Sequence, residues 1–230
     1  MDGAEIRRLV ELEDNHWWYR ERRYLLDRLI AGMPPGRALD VGAAGGGNTR
    51  VLQARGWQVA ALEYGQDGAE LAKARGLSVL RADATAIPAA DESLDLVVAF
   101  DVLEHIVDHD AAVSEVRRVL RPGGTFLVAV PTDPALWSAH DVAVGHVRRY
   151  TRAGLLALLE RGGLTIESAD SWMVLLKPVV ALRRRSTSGS DLAESHRLVN
   201  AGLRGIVALE RHLPVKNRAG VSLFVAARRP

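Results

Sequence analysis

Three acidic residues stand at or near the ends of successive apolar runs, about twenty residues apart: Asp40, Glu63 and Asp83. The first precedes a glycine-rich turn, residues 42–47, which reads as the link from a strand to a helix. Such a turn presents backbone N–H groups to a nucleotide. A carboxylate at the end of the next strand accepts hydrogen bonds from ribose hydroxyls, and a third accepts one from an adenine amino group. The spacing therefore predicts a site for an adenosine-containing cofactor.

The charge of Asp40 indicates which cofactor the turn binds. The dinucleotide fingerprint is imperfect, because Ala44 stands where its second glycine is expected, between Gly42 and Gly47. A pyrophosphate at the turn would be repelled by a carboxylate at position 40, whereas a cationic group would be attracted. S-adenosylmethionine carries an amino group and a sulfonium. We therefore predict S-adenosylmethionine, with a nicotinamide-dependent oxidoreductase as the alternative.

Ionisable residues after the fifth predicted strand are candidates for a catalytic base. His140, Asp141 and His146 lie together in the segment 137–150. Histidine titrates near neutral pH and is suited to removing a proton from a hydroxyl acceptor. We predict His140 as the first choice for the base and His146 as the second, with Asp141 able to orient either ring. The alternative is a polar loop whose side chains only bind one another.

Alternating strands and helices must position these residues. Apolar runs predict strands at residues 37–41, 57–63, 77–83, 94–101, 125–131 and 164–172. Periodicity and glycine stop signals predict helices at residues 4–33, 49–56, 67–76, 108–120, 151–163 and 196–213. This alternation is typical of a doubly wound, mostly parallel α/β sheet, whose ligands bind at the carboxyl ends of the strands.

Composition narrows the class of protein. The 230 residues carry a formal net charge of +2 and include no cysteine. Disulfides, thiolate zinc sites and cysteine nucleophiles are therefore excluded, and so small a basic excess does not favour a nucleic-acid partner. No apolar run approaches the ~20 residues that span a bilayer, and the charged first residues lack the apolar core of a signal peptide. We expect a cytoplasmic protein with a small-molecule substrate.

Four motifs follow one another over residues 37–131: ALDVGAAGGGN, VAALE, LRADATAIPAADESLDLVVAFDVLEHI and RVLRPGGTFLVAVP. In order and spacing they resemble the class I S-adenosylmethionine-dependent methyltransferases. The resemblance implies a Rossmann-like fold of seven strands, with a final antiparallel strand supplied by residues 220–229. It also implies S-adenosylmethionine as the cofactor and transfer of its methyl group to an acceptor.

The resemblance further implies which residues bind the cofactor. The family's acid-x-Gly-x-Gly-x-Gly element maps onto Asp40, Gly42, Ala44 and Gly46. Ala44 departs from the pattern, since glycine is usual there, and its methyl group would crowd the methionine moiety slightly. At the ends of the later strands, the residues expected to bind the cofactor are Glu63, Tyr64, Asp83, Ala84 and Asp101.

An acid-x-x-Glu-His pattern, formed by Asp101, Glu104 and His105, ends the fourth predicted strand. It is similar to a pattern associated with magnesium in a methyltransferase branch that acts on quinone precursors. The alternative is that Glu104 and His105 cap and pack the next helix. We predict the alternative, with no metal site and with full activity in excess chelator.

The flanking segments are expected to cover the cofactor domain. We predict a helical lid over residues 1–36 and a domain over 37–230, with substrate-side insertions at about 132–150 and 171–215. The apolar and then basic segment 172–185 is predicted to be a core helix with a charged end. Its alternative role is peripheral contact with a membrane or a lipid-linked acceptor.

The predicted reaction is methyl transfer to a small molecule, with a hydroxyl oxygen as the acceptor atom. A natural product, a sugar or a lipid-linked intermediate would each fit. A cofactor-binding regulator without catalysis is the second alternative, because it would need the same carboxylates.

Overall fold

The computed structural model describes residues 3–184 and 197–230, which form a seven-stranded sheet with helices on both faces. The strands are β1 (Arg37–Val41), β2 (Gln58–Glu63), β3 (Val79–Arg81), β4 (Leu94–Phe100), β5 (Leu120–Pro131), β6 (Thr165–Trp172) and β7 (Ser222–Arg228). The helices are α1 (Gly3–Leu12), α2 (Trp17–Ile30), α3 (Gly47–Ala54), α4 (Gln66–Ala74), α5 (His109–Val119), α6 (Ala139–Ala143), α7 (Arg152–Arg161), α8 (Lys177–Arg184) and α9 (Arg197–Glu210). Short 3₁₀ turns occupy Leu103–His105 and Pro134–Leu136.

The sheet has the order β3-β2-β1-β4-β5-β7-β6. The strands β1 to β5 pair in parallel, whereas β7 runs antiparallel between β5 and β6. The prediction of a Rossmann-like, mostly parallel sheet with seven strands and an antiparallel final strand is therefore confirmed. The strand order reverses between β1 and β4, so the ligand crevice is expected beside the carboxyl ends of these two strands.

Two apolar layers hold the sheet, one on each face. Phe126 and Val128 of β5 belong to the layer that includes α5 and α7, while Leu127 and Ala129 pack with α2 and α9. All four side chains are fully buried. Burial on both faces explains why this strand reads as a continuous apolar run rather than an alternating one. The strand ends that carry the site are thereby fixed from both sides.

The N-terminal segment forms two helices instead of the single predicted one. α1 ends at Leu12 and α2 begins at Trp17, with His16 as its N-cap. The ring Nδ1 of His16 accepts a hydrogen bond of 3.4 Å from the backbone N–H of Trp18. A side chain that accepts such a bond favours the start of a new helix. Because the apolar periodicity continues across the break, the sequence predicts a single helix.

The segment 172–185 begins in the core, where Trp172, Met173 and Leu176 are buried, but its helix α8 lies at the surface, so the prediction of a core helix is wrong. α8 includes no buried residue, and Val179 and Leu182 are 59% and 70% exposed. Within α8, only Val180 and Ala181 pack, half-buried, against the apolar layer. Arg185 and the Ser/Gly-rich stretch after it lie outside the described residues. Within residues 3–184 and 197–230, every helix is too short or too polar to cross a membrane.

Candidate active site

A cavity of about 320 Å³ lies beside the carboxyl ends of β1, β4 and β5, within the size range of small-molecule sites. The glycine turn forms one part of its wall, including Gly42 and Ala44. Another part consists of three histidines: His105, His140 and His146. The apolar part of the wall comes largely from α2, α8 and α9 and includes Trp17, Trp18, Phe100, Met173, Val180 and Leu203. The cavity therefore joins the predicted cofactor turn to the predicted catalytic segment.

The glycine turn has a backbone that most residues adopt only under strain. Gly42 and Gly46 have φ angles of +66° and +81°, a left-handed region that costs other residues roughly 1–2 kcal/mol. A Cβ atom at Gly46 would also collide with Leu77. Ala44, the departure from the family pattern, accepts a φ of +47°. Ala44 lines the cavity, and the slight crowding of the methionine moiety by its methyl group stays a prediction.

Asp40 lies beneath the turn and is 1% exposed. One carboxylate oxygen accepts a hydrogen bond of 2.6 Å from the hydroxyl of Thr49, which ties β1 to α3. The other oxygen has no hydrogen-bond partner among the described residues. Burial raises the pKa of Asp40 to about 7. A cationic amino group beside the turn would satisfy the unpartnered oxygen, so this residue fits the predicted cofactor.

Replacing Asp40 with asparagine should change how stability depends on pH. The pKa of about 7 in the folded state exceeds the unfolded value of about 3.9. The folded protein thus holds an extra proton between these values, and stability falls as pH rises through this window, by up to about 4 kcal/mol. Asp40→Asn abolishes this pH-dependent fall in stability and keeps an acceptor for the Thr49 hydroxyl. In urea unfolding, the free energy of unfolding of the variant should therefore rise relative to that of the wild type between about pH 4 and about pH 8. A constant difference across this range would contradict the assignment.

Glu63 holds the glycine turn in place. Its two carboxylate oxygens accept hydrogen bonds from the backbone N–H groups of Ala44 and Gly65, at 2.7 Å and 3.0 Å. Each oxygen can accept a second bond, so both retain capacity toward ribose hydroxyls. Only 8% of Glu63 is exposed, and Ile6 of α1 lies next to Gly65 on this side. Binding of ribose at Glu63 stays a prediction, as does its cover by the N-terminal lid.

Three other residues expected to bind the cofactor follow β2 and β3: Tyr64 comes directly after β2, and Asp83 and Ala84 come after β3, which is shorter than predicted. Asp83 stands two residues beyond the strand and accepts bonds of 2.8 Å from the backbone N–H and the hydroxyl of Thr85. Tyr64 is 73% exposed, whereas Ala84 is buried. The bond from Asp83 to the adenine amino group and the binding of the cofactor by Tyr64 and Ala84 stay predictions.

The segment after β5 folds around Asp141, which is fully buried. One oxygen of its carboxylate accepts bonds of 2.8 Å from His146 Nδ1 and from Arg149 Nε. Burial opposes ionisation, but the hydrogen bond from His146 and the charge of Arg184 hold the pKa of Asp141 below its usual range. Asp141 is therefore an ionised centre that fixes the surrounding segment.

The histidines of the cavity have different surroundings. The His146 ring is fixed by Asp141, and its centroid lies 4.8 Å from that of His105 and 6.2 Å from that of His140. His140 is half-buried on α6 and lines the cavity. Of the two rings that the sequence offered to Asp141, the structure brings His146 onto it. His140 lines the cavity from α6, and its role as the base stays a prediction, with His146 as the second choice.

Asp101 ends β4 in a left-handed conformation, with a φ of +58°. Its carboxylate lies 2.5 Å from Nη2 of Arg22, which is 3% exposed. The guanidinium carbon of Arg22 lies 4.5–5.7 Å from the centroids of four aromatic rings: Trp18, Phe224, Phe100 and Trp172. Cation–π attraction and the ion pair together offset the burial of this charge. Arg22 thus ties α2 to the end of β4 at the wall of the cavity.

Comparison with known proteins identifies the family. The profile of the methyltransferase-domain family matches residues 39–128. A probable S-adenosylmethionine-dependent methyltransferase of Mycolicibacterium smegmatis is 30% identical over 167 residues, which cover 70% of this chain and 64% of the relative. The demethylmenaquinone methyltransferase of Renibacterium salmoninarum is 28% identical over 200 residues, covering 84% and 80%. Residues 39–128 of the chain therefore form a methyltransferase domain, similar to those of S-adenosylmethionine-dependent relatives. The resemblance predicted from the motifs is confirmed.

Solved structures share the fold of this methyltransferase-family chain. An S-adenosylmethionine-dependent methyltransferase from Mesorhizobium loti matches with a TM-score of 0.65 at 19% identity, covering 94% of this chain and 100% of the other. Phosphoethanolamine N-methyltransferase 2 of Haemonchus contortus, solved with S-adenosyl-L-methionine, also has a TM-score of 0.65 at 19% identity, covering 91% and 52%. The chain spans 64% and 59% of the length of two mycobacterial relatives that it matches.

Glu104 is the site residue whose surroundings the sequence predicts least well. It is fully buried, yet it lines the cavity. Burial and then the neighbouring Asp101 carboxyl raise the pKa of Glu104 well above its usual range. The predicted capping of the next helix by Glu104 and His105 is wrong, because Asp108 caps α5 by accepting a bond of 3.0 Å from the backbone N–H of Ala111.

Proposed function

We propose that this protein is a methyltransferase that uses S-adenosylmethionine to methylate a hydroxyl oxygen of a largely apolar small molecule. When bound, the cofactor supplies an electrophilic methyl group on its sulfonium. The observation that carries the proposal is one cavity lined both by the turn residues Gly42 and Ala44 and by His140. Holding donor and acceptor in one such cavity accelerates transfer by orienting the reacting atoms.

Residues of this chain would position both reactants. The turn and Glu63 would hold the cofactor, and Asp40 would attract its amino group from below. His140 would remove the proton of the acceptor hydroxyl as the methyl group is transferred. Asp141 is committed to His146 and to arginines, so we assign it a positioning role instead of direct contact with the acceptor.

The cavity wall favours an acceptor with an apolar body. Its aromatic and aliphatic side chains include Trp17, Met173, Val180 and Leu203. Relatives of the chain include demethylmenaquinone methyltransferases. Both observations favour a natural product or a lipid-linked intermediate over a free sugar. The exposed apolar residues of α8, beside the cavity, support peripheral contact with a lipid-linked acceptor.

Replacing Val180 with aspartate should weaken acceptor binding selectively. Val180 lines the cavity, so a carboxylate there would lose apolar contact and be desolvated by the acceptor. We expect the KM for the acceptor to rise ~10- to 200-fold, with unchanged affinity for S-adenosylmethionine. Val179→Asp is the matched control, because Val179 is the preceding residue of the same helix and its side chain is 59% exposed. Equal effects of the two variants on KM would contradict the placement of the acceptor.

Ligand identification tests the proposed function. Mass spectrometry of the purified protein should find S-adenosylmethionine or S-adenosylhomocysteine, and calorimetry should show saturable binding of the former but not of NADH. Transfer of an isotope-labelled methyl group to the oxygen of an apolar hydroxyl compound should follow. Saturable NADH binding without S-adenosylmethionine binding would support the oxidoreductase alternative. Cofactor binding without transfer to any compound of a broad acceptor panel would support the regulator.

A further inference from the structure

Three metal-binding side chains meet at the wall of the cavity. Glu104 and His105 come from the 3₁₀ turn after β4, and His146 comes from the segment after β5. The backbone N–H of Val147 donates a bond of 2.8 Å to the carbonyl of Glu104, which docks the two segments. One ligand atom from each of the three side chains lies within 4.8 Å of the other two. The cluster therefore joins two chain segments about forty residues apart.

Hydrogen bonds set the orientation of both imidazole rings. His146 Nδ1 lies 2.8 Å from a carboxylate oxygen of Asp141, and His105 Nδ1 lies 3.1 Å from the carbonyl oxygen of Gly145. Both oxygens only accept, so Nδ1 carries the hydrogen in each ring. The lone pair of each neutral ring is then on Nε2. Metal-bound histidines are typically oriented in this way, by a carboxylate or a backbone carbonyl on the far nitrogen.

Glu104 supplies the second and independent observation. The residue is fully buried, and neither carboxylate oxygen has a hydrogen-bond partner on another described residue. One of its oxygens lies 3.8 Å from Nε2 of His146. A buried carboxylate without a donor is costly, and two imidazole lone pairs beside it add no donor. A bound cation would give all three groups a common partner.

We propose that Glu104, His105 and His146 bind one divalent transition-metal ion, such as Zn²⁺, Mn²⁺ or Fe²⁺. Two imidazole nitrogens and one carboxylate suit these ions, whereas Mg²⁺ is bound mainly by oxygen. Metal–ligand distances of about 2.1 Å place the ligands of a tetrahedral ion about 3.4 Å apart. The widest pair here, within 4.8 Å, needs to close by at most about 1.4 Å, which side-chain rotation can supply.

This site differs from the pattern that the sequence offered for magnesium. Asp101 belonged to that pattern, but in the structure its carboxylate pairs with Arg22 at 2.5 Å. His146 takes its place from a distant segment. The proposal therefore replaces the expectation of a metal-free site, and it does not depend on the proposed methyl transfer.

At this position the ion would be able to coordinate the acceptor. Its three ligands line the cavity together with His140, so further coordination positions would face the bound acceptor. A hydroxyl or carbonyl oxygen of the acceptor is the chemical group that would occupy one of them. A cation there lowers the pKa of a bound hydroxyl and so favours its deprotonation.

Titration of the full chain with Co²⁺ and Zn²⁺ after chelator treatment tests the site. We expect one equivalent of Co²⁺ to bind with ligand-field absorption, and Zn²⁺ to displace it. Glu104→Gln and His146→Gln should each weaken binding by about 100-fold or more, since even loss of an outer partner costs 10- to 100-fold. His140→Ala and His212→Ala are the controls, one inside the cavity and one on the surface, and both should retain wild-type metal affinity.

Three results would overturn the proposal: no saturable binding of either ion, undiminished binding in both ligand variants, or displacement of Co²⁺ by equimolar Mg²⁺. His105→Gln, whose side chain is half-buried, provides a further ligand variant should the substitutions at Glu104 or His146 unfold. Circular dichroism and thermal unfolding, measured on every variant, establish that it is folded. If the metal binds as expected while cofactor binding or methyl transfer fails, the proposed function is rejected and the metal site stands.

Discussion

Replacing His140 with alanine is expected to lower methyl-transfer turnover by ~10² to 10⁴ while leaving the affinity for S-adenosylmethionine nearly unchanged. His140 lies on α6 and shares one cavity with the glycine turn. A base acts on the acceptor proton in the transition state, so its loss does not affect binding of the cofactor. Single-turnover rates and calorimetry on the same samples separate the two quantities. The pH dependence of the rate should also be flatter in the variant.

Two further histidine variants distinguish catalysis from structure. His212→Ala, at an exposed position after α9, should match the wild type in rate and stability. His146→Ala should lower thermal stability, because Asp141 would remain buried and ionised with one donor fewer. Wild-type turnover in both His140→Ala and His146→Ala on an identified acceptor would mean that the base lies elsewhere, at His105 or at His16, which also line the cavity.

The sheet could be predicted because its signals are local. β1 occupies the predicted residues 37–41, and the later strands fall within or close to their apolar runs. The glycines that follow α3, α4 and α7, and an apolar run buried on both faces, are readable within about ten residues of sequence. The cofactor turn belongs to the same class of signal, since its glycines are required by backbone conformation and by close packing.

The chemistry of the cavity could be predicted only in part, because its contacts join distant segments. Nothing near Arg22 in the sequence indicates that Trp172 and Phe224 will surround its guanidinium. The pairing of Asp141 with His146 instead of His140 depends on how the segment after β5 turns. The break between α1 and α2 is set locally by the N-cap residue His16. It is not predicted from the sequence because the helical spacing of apolar residues continues on both sides of His16.

Glu63→Ala should lower the affinity for S-adenosylmethionine ~10- to 150-fold. The carboxylate has capacity for the two ribose hydroxyls, and such charge-assisted bonds contribute roughly 1.5–3 kcal/mol. Calorimetry on the variant and the wild type measures the change directly. Unchanged affinity would reject the placement of the ribose at β2.

The same carboxylate also holds the backbone of the turn, so the loss of affinity has two potential causes. Glu63→Gln separates them, because the amide oxygen still accepts the bond from Ala44 while the charge is lost. If ribose binding dominates, Glu63→Gln should lose most of the affinity that Glu63→Ala loses, with unfolding temperature near that of the wild type. If the carboxylate mainly supports the turn, Glu63→Ala alone should lose affinity, and it should also unfold at a lower temperature without any ligand. Asp83→Asn is the matched control at the next strand, where an exposed carboxylate bonded to Thr85 contributes less to both quantities.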